Sequence, residues 1–216
     1  MGQRVIDLSL VIRDGMRGVK LEQNTTAAKE GYNTTNYHLY SHAATHMDAP
    51  LHFIDGARTI DKVDLAKCVG PAHVIDLTYK KPNSFITVDD LERYDARIGT
   101  GDRLLLHTNW SYHANQESYY RNNMPRISVE LAHWMVKKGI VLVGMEMPSV
   151  ASLRPENRAE LTEVHQILLS AEIVIVESLA NLDHIDGNMV QFMALPLKVE
   201  NCDGSPVRAV AIEYFT

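Results

Sequence analysis

The chain has 216 residues, of which 45% are hydrophobic and 22% charged, with a formal net charge of −6 at pH 7. A chain of this length can bury a sizeable hydrophobic core without disulfide bonds or bound metals, and the composition excludes disordered and low-complexity proteins. The acidic, scattered charge argues against a nucleic-acid partner, and no apolar run reaches the roughly 18 residues of a membrane span. Arg4, Asp7 and Arg13 interrupt the first apolar stretch too early for a signal peptide, so we expect a globular cytoplasmic protein.

The cysteines and the missing motifs exclude several kinds of chemistry. Cys68 and Cys202 lie far apart and outside a Cys-x-x-Cys spacing, which favours two small core residues over a disulfide or a thiolate zinc site. The sequence has no G-x-G-x-x-G, no P-loop and no G-x-S-x-G pattern. We therefore expect neither a nucleotide cofactor nor a serine nucleophile.

Short β-branched runs alternate with helical stretches along the chain, which is typical of an α/β domain. The first predicted strand covers 4–12, and a long loop or arm follows at 13–37, where large apolar residues are few. Pro196 weakens a further strand at 189–199 to an edge or a bulge. The remaining predicted strands are 72–77, 103–107, 140–145, 173–177 and 207–214.

Three helices are predicted between these strands. The first covers 88–97, begins with the capping-box spacing of Thr87 and Asp90, and stops at a Gly-Thr-Gly turn. The second covers 129–138, between Ser128 as N-cap and Gly139. The third covers 160–171 and presents one apolar face. Since neither an internal repeat nor a linker is found, residues 1–216 are predicted to form a single domain.

Three of the ten histidines fall within one short segment, His42, His46 and His52, and Asp48 lies among them. Metal ligands must converge within a few ångströms, but four residues of extended strand would separate His42 from His46 by roughly 13 Å. Pro50 prevents a continuous helix, so we predict a coiled loop or a single turn that folds His42, His46 and Asp48 around a metal ion. The alternative is a set of surface or hydrogen-bonded core histidines.

His165 and Glu177 form a second candidate pair. His165 lies at the edge of the apolar face of the third helix, and Glu177 ends a strongly apolar strand. Spacing alone leaves two interpretations open, either metal ligands or a helix-boundary histidine and the solvated end of a strand.

Three stretches of the chain resemble the metal-dependent cyclase-like hydrolases, a family that includes bacterial kynurenine formamidases and isatin hydrolases. The family signature His-x-Gly-Thr-His-x-Asp-x-Pro-x-His is similar to His42-Ala-Ala-Thr45-His46-Met-Asp48-Ala-Pro50-Leu-His52. Residues 144–149 resemble its Gly-x-Asp-x-Pro-Ser segment, and 165–182 resemble its second metal-ligand region. The similarity runs from about Val5 to the C-terminus.

The resemblance implies a fold, a metal centre and a mechanism. The implied fold is a single α/β domain with a central barrel-like mixed β-sheet and flanking helices, assembled as a homodimer or homotetramer. The implied site holds two divalent ions, with zinc as the default and manganese as the alternative. One ion is held by His42, His46 and Asp48, the second by Asp48, His165 and Glu177, and His52 is the general acid/base.

Departures from the family pattern concern the substrate more than the chemistry. Ala44 replaces the signature Gly, Glu146 replaces the usual Asp, and residues 14–18 lack the Pro-x-x-Pro-Gly-like segment of dedicated kynurenine formamidases. Several aromatic side chains near the motif either stack on an aryl substrate or belong to the core and the rim. They are Tyr37, Tyr40, Phe53, Trp110 and Tyr112.

The main hypothesis is a metal-dependent hydrolase of a small, non-peptide amide, most like an arylformamidase acting on N-formylkynurenine. An isatin-type cyclic amide hydrolase is the nearest rival, and a cyclase or dehydratase would use the same metal site. A non-enzymatic, metal-stabilised binding protein is the remaining alternative. Its structural site would be closed by four protein ligands, whereas three ligands on the first ion favour catalysis.

Overall fold

The computed structural model describes residues 2–215 and is organised around one closed β-sheet. The strands are β1 (Gly2–Asp7), β2 (Val19–Thr25), β3 (Thr34–Leu39), β4 (His46–Asp48), β5 (Val69–Asp76), β6 (Phe85–Ile86), β7 (Arg103–His107), β8 (Arg126–Ile127), β9 (Leu142–Met145), β10 (Val174–Glu177), β11 (Met189–Pro196) and β12 (Gly204–Phe215). The helices are α1 (Ala27–Glu30), α2 (Leu65–Cys68), α3 (Val88–Leu91), α4 (Glu117–Asn122), α5 (Val129–Lys138) and α6 (Arg158–Ser170).

The main sheet closes into a barrel because β12 pairs at both ends of the strand order. That order is β1-β12-β11-β5-β7-β9-β10-β4, and β4 pairs with β12 in addition to β10. Seven strands therefore form the ring, and β1 adds to it along β12. Strands β5, β7, β9 and β10 run parallel, so their connections must cross over, and helices α3 to α6 lie in these crossovers. The predicted fold class, a barrel-like mixed sheet with flanking helices, is confirmed.

Two apolar clusters lie on the two faces of the barrel wall. Successive side chains of a strand point to opposite faces, and β7 shows this alternation within three residues. Leu104 and Leu106 pack in the cluster that contains the apolar faces of α5 and α6. Leu105 instead packs in the second cluster with Phe192 and Ala211 from β11 and β12. Because the parallel strands are buried on both faces, they appear in the sequence as continuous apolar runs.

The predicted helices occur in the structure, with different bounds in two cases. Helix α5 has the predicted bounds, with the Ser128 hydroxyl accepting from the amide of Leu131 and with Gly139 left-handed at φ 72°. The first predicted helix is shorter: α3 keeps the predicted capping box and then tightens into a 3₁₀ helix over Glu92–Arg97. Helix α6 begins two residues earlier than predicted. Among residues 2–215, no helix is both long and apolar enough for a bilayer crossing.

The N-terminal predictions need two corrections. The first strand covers Gly2–Asp7 rather than 4–12, because after Asp7 only Ser9 forms an isolated bridge, to Leu179. The loop or arm predicted over 13–37 is not an irregular loop, since β2 and β3 form an antiparallel hairpin around the short α1. Most side chains of this hairpin are exposed on both faces, so the sequence lacks the apolar alternation that marks a half-buried strand.

Candidate metal centre

A left-handed turn brings the first two candidate histidines together. Ala44 has φ 51°, and the chain reverses there before entering β4 at His46. The imidazole rings of His42 and His46 therefore lie only 5.0 Å apart, centre to centre. The chain then forms a 3₁₀ helix over Pro50–His52, which returns His52 to the same place. The predicted turn is present between His42 and His46, but His46 and Asp48 lie in strand β4 rather than in a coiled loop.

Strand pairing and helix α6 supply the other two candidate ligands. Residue His46 of β4 lies opposite Glu177 of β10, and His46 Nε2 is 3.2 Å from Glu177 Oε2. From α6, His165 Nε2 reaches to 3.6 Å from Glu177 Oε1 and 3.9 Å from Asp48 Oδ2. All these side chains are buried, so Glu177 is not the solvated end of a strand. The structure thus brings the two candidate sets into one cluster.

Each candidate histidine is anchored through one ring nitrogen, which leaves the other nitrogen aimed at the carboxylates. His46 Nδ1 donates to the carbonyl of Ala44 at 2.8 Å, and His165 Nδ1 donates to the carbonyl of Leu161 at 2.7 Å. In both rings Nε2 instead faces Glu177, at 3.2 Å from His46 and 3.6 Å from His165. This arrangement fixes the tautomer that presents a lone pair to a metal ion.

Asp203 anchors His42 in the same way, and sequence reasoning did not find it. His42 Nε2 donates to Asp203 Oδ2 at 2.9 Å, while His42 Nδ1 faces Asp48 Oδ1 at 2.9 Å. Asp203 is far from the histidine motif in sequence, and it arrives because Gly204 of β12 pairs with Asp48 of β4. A Cβ on Gly204 would lie 2.8 Å from His42 Cε1, so this close approach requires glycine. No local spacing signals Asp203.

The electrostatics of the cluster fit a bound cation. Burial raises the pKa of Asp48, but the hydrogen bond from His42 and the surrounding histidines outweigh it and hold that pKa well below the usual range. Burial likewise lowers the pKa of His42, but Asp48 and Asp203 outweigh it and raise the pKa to about 9. Asp48 Oδ2 is nevertheless buried with no hydrogen-bond partner. An orphaned carboxylate oxygen among imidazole nitrogens is what a divalent metal ion would satisfy.

His52 lies at the exposed edge of this cluster. Its ring stacks on His42 at 3.8 Å, and its Nδ1 is 3.4 Å from Asp203 Oδ2. Burial lowers its pKa, although Asp48 partly offsets that effect. Two sets of ligand atoms converge within 4.8 Å, namely His42 with Asp48 and His52, and His46 with Asp48 and Glu177. Asp48 belongs to both sets, as a bridging carboxylate would, and His52 is close enough to be a ligand itself.

The cluster opens into a cavity of about 830 Å³. Of the aromatic side chains for which the sequence left a substrate contact or a core or rim position open, Tyr40 and Phe53 line it, and Phe53 stacks on His165 at 4.0 Å. Trp110 is instead buried, and its indole N–H donates to the carbonyl of Tyr120. The cavity is also lined by three arginines that the sequence did not single out, Arg17, Arg121 and Arg158.

Glu146, which departs from the family's Asp, lies outside the ligand cluster. Its buried carboxylate accepts from the amide of Thr108 at 2.7 Å and from the hydroxyl of Ser111 at 2.7 Å. Burial raises its pKa, although these hydrogen bonds partly offset the effect. Glu146 therefore holds the loop after β7 in place.

Comparison with known proteins supports the same class. The cyclase family model, described as "Putative cyclase", matches residues 6–152. The kynurenine formamidase of Bacillus cytotoxicus is 36% identical over 169 residues, which are 78% of this chain and 75% of that protein. An isatin hydrolase bound to the product analogue thioisatinate has a TM-score of 0.89 at 23% identity, covering 99% of this chain and 93% of that one. A Bacillus stearothermophilus structure described as a "predicted metal-dependent hydrolase" has a TM-score of 0.80 at 26% identity, covering 99% and 100%.

The barrel and its buried histidine and carboxylate cluster define a cyclase-like, metal-dependent hydrolase. The chain belongs to this cyclase family, because the family model matches more than half of its residues and the kynurenine formamidase match covers three quarters of both proteins. The resemblance that the sequence motifs predicted is confirmed.

Proposed function

We propose that this protein hydrolyses the carbon–nitrogen bond of a small, non-peptide amide, as an arylformamidase converting N-formylkynurenine to kynurenine and formate. The observation that carries the proposal is the orphaned Asp48 oxygen within a cluster of histidines that opens into a large cavity. The 36% identity to a kynurenine formamidase supports the choice of reaction.

The proposed cofactor is a pair of divalent ions, zinc or manganese. One is held by His42, His46 and Asp48, and the other by Asp48, His165 and Glu177. The mixed imidazole and carboxylate donor set suits either metal. When bound, such ions lower the pKa of water and polarise the amide carbonyl.

His52 is the proposed general acid/base. Its side chain is 24% exposed and lies beside the cluster, so it can reach both solvent and substrate. Hydrolysis adds the water oxygen to the carbonyl carbon, breaks the carbon–nitrogen bond and leaves a proton to be delivered to the amine. His52 accepts the proton from water and donates it to the leaving nitrogen. Its contact with Asp203 holds the ring in place during both transfers.

Formate release from N-formylkynurenine tests the proposal. The protein is chelated and then reconstituted separately with zinc and with manganese, and metal content is measured in each sample. Turnover that depends on one metal supports an arylformamidase and identifies the working ion. Absence of turnover in protein that holds the metal contradicts it.

His52→Ala separates the two positions that the geometry allows for His52. As a general acid/base, the variant keeps its metal content and loses activity. A fall of metal content to near zero would assign His52 to the ligands instead. His38→Ala, at an exposed histidine of the β2–β3 hairpin, is the matched control and keeps both properties.

Isatin-type cyclic amide opening is the second candidate, because the fold superposes closely on an isatin hydrolase. Formation of isatinate from isatin by the metal-loaded protein, without formate release from the formamide, would favour it. A cyclase or dehydratase using the same centre would be inactive on both amides. A purely structural metal site is disfavoured, because the cluster opens into a cavity rather than being closed by protein.

We propose a single domain over residues 1–216 that assembles as a homodimer or homotetramer in the cytoplasm. Pairing of β1 with β12, near opposite ends of the chain, supports the single domain, and the free thiols of Cys68 and Cys202 suit a reducing compartment. Light scattering and cell fractionation test the assembly and the location.

A further inference from the structure

Two arginines border the cavity close to the candidate metal centre. Arg17 lies in the turn before β2, and Arg121 lies in α4. Both line the 830 Å³ cavity together with His42 and His46, and both also line a smaller adjoining cavity of about 110 Å³. Different parts of the chain therefore bring two cationic side chains to one wall of the proposed substrate site.

Neither guanidinium group has a partner within residues 2–215. No ion pair or hydrogen bond joins the side chain of Arg17 or of Arg121 to another described group. Arg126, by contrast, forms a 2.7 Å ion pair with Glu160. An arginine that lacks a carboxylate partner at the edge of a cavity retains all five of its N–H donors for a ligand.

The positive charges of Arg17 and Arg121 repel each other. Arg121 is partly buried, and burial together with the nearby charge of Arg17 lowers the pKa of its guanidinium. Glu117, one turn earlier in α4, and Glu177 of the candidate centre both attract Arg121, but neither makes a hydrogen bond to it. A negative group between Arg17 and Arg121 would relieve the repulsion and supply the missing acceptors.

The remaining lining of the cavity limits the kind of molecule that carries this negative group. Leu51, Phe53 and Leu161 supply apolar surface, which suits an aryl or alkyl body. The carboxylates that line the larger cavity are Glu177, which belongs to the candidate centre, and the exposed Asp55, which has no ion pair to either arginine. Glu117 lines the smaller cavity and likewise forms no ion pair with either arginine. The cavity thus combines a hydrolytic centre, an apolar wall and a cationic wall.

We propose that Arg17 and Arg121 form a subsite for a carboxylate on the substrate, so that the enzyme selects aryl amides that carry a carboxylate at the end away from the scissile bond. This specificity rests on the proposed function, because it assumes that the amide is cut at the adjacent centre. Guanidinium groups bind carboxylates through paired N–H donors, which a neutral group of the same shape cannot match.

Binding of a non-hydrolysable probe tests the subsite separately from the reaction. The probe is 4-oxo-4-phenylbutanoate, and its matched neutral form is 4-oxo-4-phenylbutanamide. Calorimetry on the metal-reconstituted protein is expected to show at least about tenfold tighter binding of the carboxylate, the size of a charged hydrogen bond. Arg17→Met and Arg121→Met each reduce this preference by about tenfold, and Arg121→Lys restores part of it.

Arg97→Met is the control for charge alone, because Arg97 is exposed and does not line the cavity. Equal loss of preference in this variant would overturn the proposal, since a general field would then explain the selectivity. Carboxylate binding that is insensitive to both cavity variants would also overturn it, because the probe would then be bound by the metal.

Formate release from 4-(2-formamidophenyl)-4-oxobutanoate and from its primary carboxamide gives the corresponding kinetic test. The expected preference for the carboxylate lies mainly in KM, because the subsite binds substrate and transition state equally. Arginine-dependent binding without hydrolysis of either compound would support the subsite and refute the proposed function. Hydrolysis of both at equal kcat/KM would support the function and refute the subsite.

Discussion

Removal of the Asp203 carboxylate is expected to weaken metal binding without unfolding the protein. Asp203 holds His42 through the 2.9 Å hydrogen bond from Nε2. In Asp203→Ala, the His42 ring loses the acceptor that fixes its tautomer and orientation. The other candidate ligands keep their own anchors, because His46 and His165 donate to backbone carbonyls. The loss is therefore partial.

The size of the effect follows from the exposure of the contact. Loss of a hydrogen-bonding partner behind a metal ligand typically weakens metal affinity about 10- to 100-fold. The Asp203 side chain is 39% exposed, so water can replace part of the lost hydrogen bond. We expect the lower end of that range, a loss of about tenfold or ~1.4 kcal/mol.

Competition with a chromophoric chelator for zinc and for manganese measures this affinity directly. Asp55→Ala is the matched control, because it removes a carboxylate from the same cavity that does not contact His42. Both variants should unfold in urea with the cooperativity of the parent. An unchanged affinity in folded Asp203→Ala would refute the reasoning, since His42 would then bind no metal or need no anchor.

Three further predictions concern stability and reactivity. Ala44→Gly removes an alanine from the left-handed region but makes the unfolded chain more flexible. Urea unfolding should therefore show that the free energy of unfolding rises by roughly 0.5 kcal/mol. A fall of more than ~1 kcal/mol would contradict backbone strain at Ala44. Glu146→Asp shortens a buried side chain that accepts hydrogen bonds from Thr108 and Ser111. The free energy of unfolding should therefore fall by about 1–2 kcal/mol, and an unchanged value would show that the loop relaxes. Burial raises the pKa of the Cys68 thiol to about 11. At pH 8, iodoacetamide should therefore label Cys202 but not Cys68 until urea is added, as detected by mass spectrometry. Labelling of Cys68 in the native protein would contradict its burial.

The elements predicted best are those whose local signals agree with their environment. Helix α5 begins and ends as predicted, because Ser128 and Gly139 satisfy its terminal backbone groups locally. Strand β7 has the predicted bounds because it is buried on both faces and is apolar along most of its length. The sequence does not predict the β2–β3 hairpin, because its side chains are mostly exposed on both faces. Its strands therefore lack the alternation of apolar and polar residues that marks a half-buried strand.

The candidate ligands divide in the same way. The histidine motif is recognisable in the sequence because one turn at the left-handed Ala44 and one short 3₁₀ helix bring its side chains together. Short-range geometry strongly limits the conformations of such a segment. The motif consists of His42, His46, Asp48 and His52. Spacing alone leaves His165 and Glu177 an ambiguous pair, and only the family resemblance identifies them as candidate ligands. Their approach depends on β10 pairing with β4 and on α6 packing against the barrel.

The sequence by itself therefore determined the α/β class, the histidine and carboxylate motif and the family. The tertiary structure alone decided that Asp203 anchors His42, and that Arg17 and Arg121 meet at one cavity wall. The physical reason is the closure of the barrel: β12 must pair with β4 to leave no open edge there, and that pairing brings Asp203 to His42 across more than half of the chain. Side chains that converge through such long-range pairing leave no periodicity or spacing in the sequence.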